Sequence, residues 1–148
     1  MEKGIFSVRK KKVRNKGVLY IMYKEFIIII VVIGLIVGLD IITNNYTKDT
    51  VNIISNELEV LKEHILKEDK EKAEVQMKKV NDKWEERYNL LAFYIEHDEL
   101  EKVETEITRL AADLSVEEYK HCISELDTTI FILEHIQEKE EFHFRSIF

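Results

Sequence analysis

Proline is absent from all 148 residues, and glycine, present four times, does not recur after Gly38. The first absence removes the commonest cause of a broken helix and any stiff proline-rich linker. The second excludes a glycine-rich phosphate cradle beyond Gly38, so turns there must come from Asp, Asn, Ser and His. Cysteine occurs once, at Cys122, which rules out an intramolecular disulfide and a CxxC motif. No cysteine stands where a lipoprotein would carry its lipid, just after an N-terminal apolar run. A buried thiol is the expectation for Cys122. Tryptophan also occurs once, and Trp84 falls on an apolar stripe, where it is expected to anchor a core.

What the chain does have begins with fourteen uninterrupted apolar residues, Phe26 to Leu39. As a helix they span about 21 Å, short of a hydrocarbon core of roughly 30 Å. Ile21 to Glu25 on one side, with Lys24 snorkelling, and Asp40 to Ile42 on the other extend the run to about 22 residues, enough to cross. The continuation Asp40-Ile41-Ile42-Thr43-Asn44-Asn45 offers no small-x-small cleavage site. An uncleaved signal anchor is therefore expected rather than a removed signal peptide. Residues 1–25 carry eight Lys/Arg against two Glu, a charge of +6, while residues 43–148 carry 14 Lys/Arg against 26 Asp/Glu, a charge of -12. Positive flanks stay inside, which puts the N-terminus in the cytoplasm and the C-terminal domain outside the membrane. A domain of charge -12 is no nucleic-acid binder, and anionic headgroups repel it, so it is expected to stand off the bilayer.

Within the run, Gly34 and Gly38 form a GxxxG pair, which lets two membrane helices approach closely and makes a homodimer a candidate. Met22 directly precedes Tyr23-Lys24-Glu25 and the run, the layout of an ordinary bacterial anchor start. A start at Met22 therefore competes with one at Met1, and would leave the basic arm of residues 1–21 untranslated. The organisation expected is that arm, an anchor over 22–42, a short stalk over 43–48 and a helical domain over 49–148. The stalk lacks a helix breaker, so it could equally continue the membrane helix.

Four apolar stripes at alternating spacings of three and four mark amphipathic helices. They are Val51, Ile54, Leu58, Leu61, Ile65; then Ala73, Met77, Val80, Trp84, Tyr88, Leu91, Ile95; then Leu100, Val103, Ile107, Leu110, Leu114; and Tyr119, Ile123, Leu126, Ile130, Leu133, Ile136. Asp98 with Glu101 and Ser115 with Glu118 fit the capping box, and Asp69 fits a helix cap. Helices are expected near 49–67, 70–97, 99–114 and 116–140, with connections short enough to make neighbours antiparallel. The fold class is thus all-α: one N-terminal transmembrane helix, then an antiparallel four-helix bundle or two stacked helical hairpins of the solenoid type.

Catalytic chemistry finds little support. Glu118 and His121 make one ExxH pair, but His64, His97 and His135 each lack a Glu three residues earlier, so no second pair exists for a di-metal bundle. No metal, cofactor or catalytic residue is expected. Glu96-His97-Asp98 is read as a helix C-terminus, where the dipole favours a cationic imidazole. His121 and Cys122, adjacent on a helix, point in different directions and make no nucleophile pair. Two places are more apolar than a stripe requires: Leu90 to Ile95, and the tail Phe142 to Phe148. The tail is expected either to fold back over the far end of the second helix or to dock a protein partner in the membrane or envelope. For docking, the candidate residues are Phe142, Phe144 and Phe148, with Phe93 and Tyr94 as receivers.

The layout resembles a bacterial family of small anchored proteins, domain-of-unknown-function family 4363. The resemblance rests on the anchor soon after a methionine, the segment Thr43 to Tyr46, the stretch from Trp84-Glu85 to His97-Asp98-Glu99, and the closing Ile147-Phe148. It implies an N-terminal anchor, a Glu/Lys-rich helical region, relatives that begin near Met22, and a low-GC Gram-positive host. It implies no activity. The expectation is a single-pass membrane protein acting as an accessory or scaffold; the alternative is an extracytoplasmic sensing bundle that takes a small ligand or cation between its helices.

Overall fold

The computed structural model describes the backbone of residues 2–147 and the side chains of residues 23–142. Four helices follow one another: α1 (Glu2–Leu66), α2 (Lys70–Leu91), α3 (His97–Ser115) and α4 (Tyr119–Ile147). No strand occurs among the described residues. The chain divides into two units, Met1–Asp40 and Ile41–Phe148.

In the first unit, Tyr23, Phe26 and the large apolar residues from Ile27 to Ile36 are 47–66% exposed. The run is rich in β-branched Ile and Val, which are mediocre helix formers in water. A helix that satisfies its own backbone is, however, the form such a run takes in lipid. Among the described residues one helix, α1, is long and apolar enough to cross a membrane; its apolar window has a mean hydropathy of 3.0 and none of it is buried.

The second unit is a four-helix bundle. Its ion pairs give the arrangement: Asp49 and Glu57 of α1 meet Arg87 and Lys83 of α2, and Lys62 of α1 meets Asp127 of α4. Lys139 of α4 reaches Glu96 and Glu99 beside the start of α3. In the α1–α2 pairings, residue numbers rise on one helix as they fall on the other, so these neighbours run antiparallel. The interior is apolar and nearly continuous: Ile54, Leu58, Leu61, Val80, Leu100, Val103, Leu110 and Leu126 are all fully buried. The first and third stripes are buried at every position. Segment 43–48 is helical and belongs to this unit, with Thr47 and Thr50 each 1% exposed. It is therefore part of α1, not a separate stalk.

The turns differ from expectation in an instructive way. The connections α1–α2 and α3–α4 both close with a left-handed residue, Glu68 (φ 53°) and Glu117 (φ 62°). Around Glu68, the Asp69 N–H donates to the His64 carbonyl and the Glu68 N–H to that of Ile65. Around Glu117, the Glu118 N–H donates to Asp113 and the Glu117 N–H to Leu114. These are Schellman closures, which usually rely on glycine. Asp69 does cap α2, accepting from the Lys72 N–H, and Lys72 Nζ lies 2.6 Å from the same carboxylate. Neither expected capping box forms. The Ser115 hydroxyl donates to the Ala112 carbonyl inside α3, and Asp98 lies inside the first turn of α3 behind the cap residue Glu96. The Asp98 box fails because α2 ends at Leu91, several residues early, where Tyr94 and Ile95 turn inward instead of continuing the helix, so that α3 starts before Asp98.

Candidate functional surfaces

The turn that links α2 to α3 is built around its inward residues. Ile95 is buried in the core, and the Tyr94 hydroxyl lies 3.0 Å from Thr47 Oγ1 and donates to the Thr43 carbonyl at 3.3 Å. Desolvation raises the Tyr94 phenol above its ordinary value. Anchoring these two leaves Phe93 between them and the helix end, 84% exposed, with Leu90 46% exposed one turn earlier. Of the candidate docking residues, then, Phe93 stands in solvent, and Tyr94 is tied to α1. Phe142 is 72% exposed, on the part of α4 where Glu141 comes within 4.0 Å of Lys48. The side chains of Phe144 and Phe148 lie outside the described residues. Gly34 and Gly38 border open space: a Cβ at either would meet nothing within 4 Å.

Glu96-His97-Asp98 opens α3 rather than closing α2. The positive end of the helix dipole faces this segment and suits Asp98 and Glu99 in the first turn, so the C-terminal role expected of His97 does not apply. His121 is exposed while its neighbour Cys122 is wholly buried. Burial pushes the Cys122 thiol up to about 11, with Asp113 and Glu125 adding to the effect, so it stays protonated. Among the described residues no group of three or more His, Cys, Asp or Glu is placed to hold a metal ion.

Sequence reasoning missed the polar groups inside the bundle. Gln76, 3% exposed, donates to the Glu57 carbonyl at 3.0 Å and to its carboxylate at 2.6 Å, and Lys83 holds the other carboxylate oxygen at 2.6 Å. Those bonds hold Glu57 below the ordinary carboxylate range. Elsewhere in the bundle, desolvation and then Asp113 and Glu106 raise Glu125, whose Oε2 is buried without a hydrogen-bond partner. Thr47 and Thr50 continue the first stripe backwards at helical spacing, which was the available signal for them. The Trp84 ring is core, 4% exposed and edge-on to Tyr88, and its Nε1 has no partner. Two hollows remain. One, about 10 Å³ beside Trp84, holds at most a water. The other is an open groove of about 330 Å³ between α2 and α3, floored by Met77, Ala111 and Leu114 and edged by Glu74, Lys78 and Asn81.

The protein is thus of a definite class: an acidic four-helix bundle with an apolar interior, preceded by an exposed apolar helix. More particularly, the family model for a domain of unknown function, DUF4363, matches residues 41–147, and the chain belongs to that family. The match coincides with the second unit. No curated protein and no solved structure matches the chain.

Proposed function

We propose that this is a single-pass membrane protein whose acidic bundle lies outside the membrane and serves a membrane or envelope complex through protein contacts. The observation that carries this reading is the contrast between the two units. One turns every large apolar side chain from Phe26 to Ile36 outward, and the other buries most of its apolar stripes in one shared core. The first arrangement suits lipid, and the second suits a scaffold. The positive flank before Phe26 favours an inner N-terminus.

Orientation is tested by Lys102→Cys, at an exposed position of α3, with a membrane-impermeant maleimide on intact cells. Cys122 gives no background, because it is buried and protonated. Labelling is expected before lysis; labelling only after lysis would reverse the orientation. For the partner, Phe142 and the tail behind it are the surface to remove. Deleting residues 142–148 is expected to remove only the last turns of α4, leave the melting temperature of the bundle unchanged and abolish co-purification of a crosslinked protein. A lowered melting temperature on deletion would make the tail part of the core.

A second reading, a sensing bundle, is favoured by the groove between α2 and α3, whose volume is at the low end for small-ligand sites. A ligand or cation there would raise the melting temperature, because binding to the folded state alone stabilises it.

A further inference from the structure

We infer that the α2–α3 turn is a membrane-contacting tip: Phe93, with Leu90, enters the outer interfacial layer of the bilayer that holds the anchor. The inference rests on the single-span reading above. Its independent support lies within the bundle unit. That unit begins with two exposed apolar residues, Ile41 at 43% and Ile42 at 64%, which end the apolar segment. Thr43 follows Ile42 directly, so its Cα is about 4 Å away whatever direction the chain takes. The Tyr94 hydroxyl donates to the Thr43 carbonyl at 3.3 Å and lies 3.0 Å from Thr47 Oγ1. Two hydrogen bonds therefore pin the turn to the point where the chain leaves the hydrocarbon. Phe93, adjacent to Tyr94, is the most exposed large apolar side chain among the described residues, at 84%. Aromatic rings are favoured at the headgroup level, and Tyr46 lies on the same segment of α1 as Thr43 and Thr47, its ring 5.2 Å from the Arg87 guanidinium. A water-facing phenylalanine costs apolar hydration; an interfacial one does not.

The surrounding charge selects the surface. Glu96, Asp98 and Glu99 follow the tip, and Lys139 pairs with Glu96 and Glu99. A zwitterionic surface therefore suits it better than an anionic one.

The test uses the full chain in phosphatidylcholine vesicles, with Phe93→Trp and, separately, Phe26→Trp. The wild type supplies the Trp84 background, which is buried and constant. After that background is subtracted, F93W emission is expected to be quenched by lipids brominated near the headgroup and shielded from aqueous iodide. If iodide quenches F93W and the lipids do not, while deep-brominated lipids quench F26W, the tip is overturned and the anchor stands; the exposed ring would then be left for a protein. If no brominated lipid quenches F26W, the anchor reading itself is overturned, and the tip falls with it. Should Phe93→Trp reduce helical content, spin-labelled Phe93→Cys answers the same question by its accessibility to oxygen against an aqueous nickel complex, because buried Cys122 does not take the label.

Discussion

Individual residues show where the missing glycines have to be replaced. Glu68 and Glu117 occupy left-handed conformations that cost an L-residue about 1–2 kcal/mol. Glycine there avoids the clash but loses more chain entropy, about 0.5–1 kcal/mol. Glu68→Gly is therefore expected to stabilise the bundle by about 0.5–1 kcal/mol in urea denaturation. Glu117→Gly should gain less, since Glu117 also accepts a 2.7 Å bond from Lys70 Nζ. Equal or negative effects at both positions would show that the strain is relieved elsewhere. Glu57 and Glu125 divide the pH response. Glu57 lies below its ordinary 4.5, so its contribution is present above that value and lost as pH falls through the lowered one. Glu125 lies above 4.5, so its contribution is full below that value and lost as pH rises through the raised one. Glu125→Gln, which keeps the shape and can donate to Asp113, should stabilise the protein by on the order of 1 kcal/mol at neutral pH and by nothing near pH 4. Melting at the two pH values decides it. Neither glutamate was legible in the sequence, because a carboxylate on a helix flank looks the same whether it is solvated, bonded to Gln76 or crowded by Asp113.

Elements were legible wherever apolar side chains alone defined a face. The first and third stripes are buried throughout, since Val, Ile and Leu at helical spacing leave one way to face a core. The fourth stripe is rotated. Its buried line runs through Cys122, Leu126, Thr129, Leu133 and Ile136, while Tyr119, Ile123 and Ile130 are only partly covered. Two small or polar members hid that line, and Thr129 satisfies its hydroxyl on the Glu125 carbonyl. The end of α2 at Leu91, short of the expected 97, carries no local signal, because Leu90 to Ile95 is apolar enough to continue a helix and only the tertiary bonds of Tyr94 show that it turns. Leu58→Ala, at a fully buried position, should cost about 2–5 kcal/mol, whereas Phe131→Ala, at 66% exposure, should stay within about 0.5 kcal/mol. Tyr94→Phe should cost about 1 kcal/mol through the lost bonds to Thr43 and Thr47. Denaturation midpoints check all three, and a large loss at Phe131 would mean that the helix packs on a face other than the one described.

At the scale of the whole molecule, charge asymmetry and the apolar run announced two parts, and the structure draws the boundary at Asp40 and Ile41. Among the described residues, the buried apolar core runs from Val51 to Ile136 and lies within the second unit. The family match over residues 41–147 covers the bundle unit. Burial that is complete without the first unit should give stability that is independent of it, since sites without shared partners add. A fragment of residues 43–148 is therefore expected to be soluble without detergent and to unfold in one cooperative step. Its free energy should match that of the full chain in mild detergent within about 0.5 kcal/mol. At this size a urea slope of about 1 kcal/mol/M marks full cooperative unfolding. A shallower slope or a broad transition in the fragment would mean that the apolar helix helps to hold the bundle closed. A matching midpoint would make the first unit an anchor alone, leaving whatever work this protein does to the acidic bundle and its exposed aromatic residues.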